Sequence, residues 1–149
     1  TASLFQSEYR GSDGIWRNTA FNSRYILNAL LGREFPLRNG WTFTSDTKVS
    51  VAGGRWYTPI NLEQSKLAGT EVFDETRPFS GQYPAFFRWD AKIGMRYDAR
   101  RITHHLMLDF TNLTNRRNVF AYRYFRGSAG LSTQYQLGIT PDFVYRIQF

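Results

Sequence analysis

The last sixteen residues of the chain alternate between apolar and polar side chains almost without interruption. The even positions carry polar or small side chains, with Val144 as the exception. The odd positions carry the apolar set: Tyr135, Leu137, Ile139, Pro141, Phe143, Tyr145, Ile147 and Phe149. Successive side chains of a strand point to opposite faces, so the pattern predicts one β-strand over residues 134–149. Strands of globular domains usually have about five or six residues, and this length favours a strand that crosses a bilayer and projects beyond it.

Five further segments show the same period of two. They predict strands over residues 1–9, 21–35, 41–51, 84–98 and 102–113. In residues 84–98, aromatic side chains stand at both ends of the apolar row, as in the aromatic bands of membrane barrels. The predicted fold is all-β, an antiparallel up-and-down meander of about six long strands that forms a segment of a transmembrane β-barrel.

The predicted connections alternate in length. Residues 36–40 and 99–101 are short turns, whereas residues 10–20, 57–83 and 115–133 are long loops. Outer-membrane barrels have short periplasmic turns and long external loops, so this alternation favours a barrel wall over a soluble meander. Within the loop over residues 57–83, residues 62–74 show no alternation and carry scattered charge, so the loop is expected to add no further hairpin to the sheet.

Composition narrows the possible classes of protein. Aromatic residues make up 17% of the chain and hydrophobic residues 42%, which suits strands that are apolar on one side and wet on the other. No apolar run approaches the roughly 18 residues of a membrane helix. The chain has no cysteine, which excludes disulfides and thiolate metal sites. The formal charge of +7 is scattered over the sequence, and the aromatic and basic residues fall on opposite faces, so a nucleic-acid binder is not expected.

The odd or even position of a residue in its predicted strand assigns its side chain to one of two faces. The predicted lipid-facing residues are Phe87, Trp89, Ile93, Met95, Tyr97, Leu106, Leu108, Phe110, Leu137 and Ile139. The predicted lumen-facing residues are Arg24, Asp46, Lys48, Arg88, Asp90, Lys92, Arg96, Asp109 and Arg146. The lumen-facing charges either pair with one another across strands or contact a plug or a solute.

The candidate chemical groups are sparse. His104 and His105 are neighbours, so they point to opposite faces and cannot share one metal ion. Asp90 and Asp109 resemble a carboxylate dyad, but no nucleophile, base and orienting group stand at matched positions. We expect no enzymatic activity, no metal site and no cofactor. An aromatic group near the external ends of the strands forms part of a ligand platform, belongs to an aromatic girdle or packs the loops together: Trp56, Tyr57, Tyr83, Phe86, Tyr122, Tyr124 and Phe125.

Four segments resemble the C-terminal barrel portion of TonB-dependent outer-membrane receptors, particularly those of Bacteroidetes. They are residues 11–22 (GSDGIWRNTAFN), 52–60 (AGGRWYTPI), 112–118 (NLTNRRN) and 135–149 (YQLGITPDFVYRIQF). The resemblance implies the last six of about twenty-two strands, with the plug and earlier strands outside residues 1–149. It also implies that Phe143, Tyr145, Ile147 and Phe149 form the terminal signal read by the barrel assembly machinery.

The resemblance implies an importer of a bulky nutrient in the bacterial outer membrane, with TonB as an energy-relaying partner of an N-terminal part. It leaves open whether the nutrient is a siderophore, vitamin, peptide or glycan. Because a closed membrane sheet needs about eight strands or more, six strands are expected to be a fragment. The alternative is a soluble small-ligand-binding barrel of lipocalin type, in which the aromatic face points inward.

Overall fold

The computed structural model describes residues 1–128 and 130–149 and consists mainly of strands. The largest unit is a six-stranded antiparallel sheet. Its strands, in spatial order, are β1 (Ala2–Leu4), β4 (Tyr25–Pro36), β5 (Trp41–Ala52), β8 (Phe86–Asp98), β9 (Thr103–Thr111) and β12 (Thr140–Gln148). Each strand pairs with the next one of this set along the chain, so the predicted all-β antiparallel meander is confirmed.

The connections segregate by length, as predicted. Residues 37–40 join β4 to β5 and residues 99–102 join β8 to β9, both at one end of the sheet, which we call the turn end. The three long connections, residues 5–24, 53–85 and 112–139, all lie at the opposite end, the loop end.

The long connections contain structure of their own. The first holds a hairpin of β2 (Glu8–Arg10) and β3 (Trp16–Asn18), closed by a turn at Gly14, whose φ is +76°. The second holds β6 (Trp56–Tyr57), α1 (Leu62–Ala68) and β7 (Gly81–Gln82). The third holds a hairpin of β10 (Val119–Phe125) and β11 (Gly130–Tyr135).

The short helix α1 shows why part of the second connection lacks strand periodicity. The side chain of Asn61 accepts a hydrogen bond from the Gln64 amide, 3.1 Å away, and caps the first turn. Gly69 ends the helix in the left-handed conformation that glycine adopts without steric cost. As expected, the described residues of this connection add no strand to the six-stranded sheet.

The sheet is a single layer. Among residues 1–127 and 130–149, no hydrophobic residue is buried, and the only buried side chains are polar. Large apolar side chains are exposed along every long strand; Trp89, for example, is 42% exposed. A sheet in a soluble domain buries one face against a second layer, and this sheet has none within the described chain.

Several predicted strand and loop boundaries are wrong. The strand predicted over residues 1–9 is interrupted, because residues 8–10 leave the sheet and pair with β3. The strand predicted from residue 21 begins at Tyr25, since Phe21 lies in a turn that Asn22 stabilises. The loop predicted over residues 115–133 contains most of the β10–β11 hairpin, whose aromatic and β-branched residues outweigh its Asn and Gly content.

The strand predicted over residues 134–149 is two strands separated by residues 136–139. β11 pairs with β10 and β12 pairs with β9, so the two halves belong to different sheets. The alternation of apolar and polar residues in the sequence continues through this break. Alternation alone therefore could not reveal it.

Candidate functional site

The strand register sorts the side chains of the main sheet into two faces. Directly opposed residues of antiparallel strands point to the same face, so each row of partners can be followed across the sheet. One row links Phe35, Phe43, Met95, Leu106 and Tyr145. The adjacent row, one residue away along every strand, lies on the other face. We call the face that carries the first row, with its apolar side chains, the apolar face, and the opposite face the polar face.

The predicted lipid-facing residues share the apolar face, except for two. Phe87, Trp89, Ile93, Met95, Tyr97, Leu106, Leu108 and Phe110 fall on it by register. Leu137 and Ile139 do not, because residues 136–139 form no strand. Of the predicted terminal signal, Phe143, Tyr145 and Ile147 lie on the apolar face of the edge strand β12, and Phe149 follows the end of that strand.

The predicted lumen-facing residues share the polar face, with one exception. Asp46, Lys48, Arg88, Asp90, Lys92, Arg96, Asp109 and Arg146 fall on it by register. Arg24 does not belong to this row, because it precedes β4 with a positive φ of 67°. Its carbonyl oxygen accepts a hydrogen bond from the Phe5 amide, and this bond continues the β1–β4 pairing.

Several polar-face charges neutralise one another. Lys92 and Asp109 pair across β8 and β9 at 3.1 Å. Arg96 contacts Glu34 of β4 and Asp98 of its own strand, each at 3.2 Å. This favours cross-strand pairing as the role of these residues, whereas Asp46, Lys48 and Arg146 form no ion pair within the described residues.

Asp90 and Asp109 do not form a dyad. The Asp90 carboxylate accepts hydrogen bonds from the Arg88 guanidinium, at 3.0 Å, and from the backbone N–H of Asn112, at 2.9 Å. Asp109 is held by Lys92. Each carboxylate therefore has its own cationic partner, and the pair offers no shared-proton chemistry.

A row of rings crosses the apolar face near the turn end. Trp41 of β5 packs against Tyr97 of β8, with ring centroids 4.7 Å apart. The rings of Tyr97 and His104 of β9 are stacked with their centroids 6.3 Å apart, and the rings of His104 and Tyr145 of β12 are stacked with centroids 6.2 Å apart. The His104 Nδ1 atom also lies 2.8 Å from the Tyr145 hydroxyl. We call these four side chains the aromatic row.

The register places His104 opposite Tyr97 and His105 opposite Arg96. The two histidines therefore point to different faces, as their adjacency predicted. No group of three or more potential metal-ligating side chains occurs in the part of the chain that the structure describes.

Asparagine side chains hold the junction between the sheet and the third long connection. Asn112 is almost fully buried, and its amide nitrogen donates to the carbonyl oxygens of Arg116 (3.0 Å) and Leu137 (3.1 Å). The Asn118 side chain accepts a hydrogen bond from the Phe87 backbone N–H at 3.1 Å and donates one to the Phe87 carbonyl oxygen at 2.8 Å, as the backbone of a paired strand would. The Asn115 side chain accepts from the Ile139 amide. These bonds replace the strand ladder where the backbone leaves the sheet.

Three tyrosines cluster at the loop end. Tyr57 and Tyr83 stack with centroids 4.4 Å apart, and Tyr122 of β10 lies 5.2 Å from both rings. We call them the tyrosine cluster. Partial burial raises the pKa of Tyr57, and the phenol groups of Tyr122 and Tyr83 raise it further. The cluster joins the second long connection to the third, so it has the loop-packing role that the sequence left open.

The tyrosine cluster also lines a cleft of about 460 Å³ between the long connections. All three connections contribute to it, through Phe21, Phe73 and Phe120 among others. The Arg55 guanidinium lies over the Tyr83 ring at 6.0 Å and donates to the Phe120 carbonyl at 3.1 Å. Of the predicted aromatic platform, Trp56 also lines the cleft, while Phe86, Tyr124 and Phe125 do not. Phe21, Phe73 and Phe120 were missed because no local pattern connects them.

Within residues 1–128 and 130–149, no helix has the length and apolar character needed to cross a bilayer. Comparison with protein-family models, with curated proteins and with solved structures finds no match for this chain.

Proposed function

We propose that the chain forms part of the wall of a bacterial outer-membrane β-barrel that serves as a TonB-dependent receptor for a bulky nutrient. The six-stranded sheet lies in the membrane, its apolar face contacts lipid and its polar face lines the lumen. The turn end faces the periplasm and the loop end faces the cell exterior. The proposal leaves the chemical class of the nutrient open among siderophores, vitamins, peptides and glycans.

The observation that carries the proposal is the apolar face itself. No described part of the chain covers it, and its aromatic and aliphatic side chains extend along strands of 12 and 13 residues in β5 and β8. At about 3.3 Å per residue these strands measure roughly 40 Å, and a tilt of about 40° reduces their reach to roughly 30 Å. That reach equals the thickness of a bilayer core. The segregation of long and short connections supports the same orientation.

The sheet edges support incorporation into a larger closed structure. β1 pairs with β4 over three residues only, and β12 pairs with β9 on one side. In hydrocarbon each unsatisfied backbone polar group costs several kcal/mol, so both edges require further strands. The apolar side chains of β12 suit capture by strand addition, which is how we expect the barrel assembly machinery to engage it.

The loop-end cleft supports the receptor part of the proposal. Its volume falls in the range of small-ligand sites, and its walls combine aromatic rings with Arg55, Glu75 and Arg123. We propose that it contributes part of the nutrient-binding surface, while the tyrosine cluster fixes its shape. Tyr57→Ala in the full-length receptor should then weaken nutrient uptake without reducing the amount of folded barrel.

The decisive experiment compares the two faces at equal depth. Ile93 and Leu108 oppose each other on the apolar face, and Lys92 and Asp109 form the adjacent pair on the polar face. The chain has no cysteine of its own, so once any cysteine elsewhere in the full-length protein is replaced, single cysteine variants at these positions can each carry a fluorophore. After fractionation and reconstitution of the full-length protein, lipids with brominated acyl chains should quench the fluorophore at 93 and 108 but not at 92 and 109.

Two outcomes would contradict the proposal. Quenching confined to positions 92 and 109 would mean that the polar face contacts lipid. Recovery of the protein in the soluble fraction, with positions 93 and 108 shielded from both lipid and water, would instead favour the lipocalin-type barrel.

A further inference from the structure

The two short turns at the turn end lie side by side. The Asp98 amide, at the start of one turn, donates to the Gly40 carbonyl of the other at 2.9 Å. Trp41 and Tyr97, the strand residues next to the turns, are directly opposed. The side chains of residues 37–40 and 99–102 therefore project from one small region beyond the ends of β5 and β8.

This region carries three exposed arginines: Arg38, Arg100 and Arg101. None of them forms an ion pair or a side-chain hydrogen bond with the residues that the structure describes. The carboxylates at this end, Glu34 and Asp98, are both engaged by Arg96, and Asp98 also accepts from the Thr103 hydroxyl at 3.0 Å. The positive charge of the turns thus lacks a partner within the sheet. We call Arg38, Arg100 and Arg101 the turn arginines.

Arginines of the long connections provide a contrast. Arg17 pairs with Asp13, Arg77 pairs with Asp74, and Arg123 pairs with Glu71 at 3.0 Å. Arg55 and Arg116 donate to backbone carbonyl oxygens. Internal partners are therefore available to many cations at the loop end but to none of the turn arginines.

The aromatic row lies next to the turn arginines on the apolar face. Tyr, Trp and His side chains of this kind concentrate where hydrocarbon meets headgroups, since one end of each side chain is apolar and the other polar. Rings at that depth place side chains of the adjoining turns at the level of the phosphates. Arginine forms charge-assisted and bidentate hydrogen bonds with phosphate oxygens.

We infer that the turn end is a binding surface for anionic phospholipid headgroups, in which the turn arginines contact phosphates and the aromatic row sets their depth. This inference rests on the proposed membrane location and adds the lipid class that the turn end selects. An anionic phospholipid fits this surface, because its phosphate complements the turn arginines, which are unpaired within the described residues, and its acyl chains fit the adjoining apolar face.

The test uses full-length protein reconstituted into phosphatidylethanolamine bilayers with trace spin-labelled lipid. The spin-labelled fraction immobilised by the protein is measured for phosphatidylglycerol and for phosphatidylethanolamine. We expect the wild-type protein to prefer phosphatidylglycerol, and the R38Q/R100Q/R101Q variant to lose that preference at least five-fold, consistent with the attraction of individual basic side chains to anionic membranes. The preference should also fall as salt is raised.

The matched control is R10Q/R117Q/R126Q, which removes the same charge from the long connections and should keep the preference. A wild-type protein that inserts but shows no preference would overturn the inference while leaving the proposed function standing. Equal losses in both triple variants, or an unchanged preference in R38Q/R100Q/R101Q, would overturn it as well. Failure to enter the bilayer at all would remove the proposed function together with this inference.

Discussion

Lys92 and Asp109 face each other across β8 and β9, with the ammonium nitrogen 3.1 Å from a carboxylate oxygen. Their chain neighbours Ile93 and Leu108 form the adjacent pair and point to the opposite face. Two consecutive rungs of one ladder thus present a charge pair to one side and an aliphatic pair to the other. This contrast allows the environments of the two faces to be compared at a single depth.

Leu108→Arg should destabilise the folded protein far more than Asp109→Asn. If the apolar face contacts lipid, an arginine near mid-depth costs about 2–4 kcal/mol. Removing the Asp109 charge should cost less than about 1 kcal/mol, because the Lys92 side chain is 40% exposed and its ion pair is solvent-screened. Urea unfolding of the reconstituted full-length protein measures both values. Similar losses in the two variants would argue against an apolar environment at position 108.

Gly54→Ala should disrupt the junction between β5 and the second long connection. A methyl group at Gly54 would lie 1.6 Å from the Tyr83 carbonyl oxygen, which is backbone and cannot rotate away. Overpacking of this kind typically costs 1–3 kcal/mol or more. The readouts are the free energy of unfolding and the protease sensitivity of residues 53–85. Gly11→Ala is the control, because its methyl group would meet only the ends of the Asp13 and Arg17 side chains.

Asn112→Ala should destabilise the junction at the end of β9 more than Asn112→Gly does. Both variants remove the amide that bonds the Arg116 and Leu137 carbonyls, at a cost of about 1–3 kcal/mol for the groups left unsatisfied. Only alanine adds backbone strain, since residue 112 has a φ of +57° that glycine adopts freely. Unfolding free energies of the two variants separate these contributions. A more stable alanine variant would contradict the assigned backbone role.

Tyr57 should titrate above the usual tyrosine pKa of 10.0, because burial and the neighbouring phenols disfavour its phenolate. The absorbance of wild-type protein at the phenolate band minus that of Tyr57→Phe isolates this titration from the other tyrosines. With a raised folded-state pKa, the contribution of Tyr57 to stability is complete below pH 10. It is lost as the pH rises through the folded-state value.

Tyr122→Phe should bring the pKa of Tyr57 closer to 10.0, because it removes one of the phenols that raise it. Tyr9→Phe serves as the control, since Tyr9 contacts Phe79 rather than the tyrosine cluster. If the pKa of Tyr57 is the same in Tyr122→Phe as in the wild type, the stacked cluster does not persist in solution.

Much of the sheet could be predicted because its signals are local. Phe87 and Lys92 fall on the predicted faces, as do the other assigned residues of β8 and β9, since alternation follows directly from extended backbone geometry. Arg24 is the exception on the polar side, because a residue with positive φ does not continue the strand parity. The short turn predicted over residues 36–40 is also present, and Gly40 adopts the positive φ that it requires.

The loop-end cleft could not be predicted in the same way. Phe21, Phe73 and Phe120 come from three different connections, and nothing in their sequence neighbourhoods relates them. The tyrosine cluster likewise joins positions 57, 83 and 122 through packing between connections. Such contacts depend on how each connection folds back on the sheet, which is a long-range property of the chain.

By itself, the sequence determined which side of each strand is apolar and that long and short connections alternate. Tertiary structure alone decided that residues 134–149 form parts of two sheets, with Leu137 and Ile139 in neither. Side-chain alternation reports the extended conformation of the backbone, whereas strand identity depends on the hydrogen-bond partner. Here Asn112, Asn115 and Asn118 form hydrogen bonds with residues 136–139, more than fifteen positions away. The local sequence pattern therefore does not show the break.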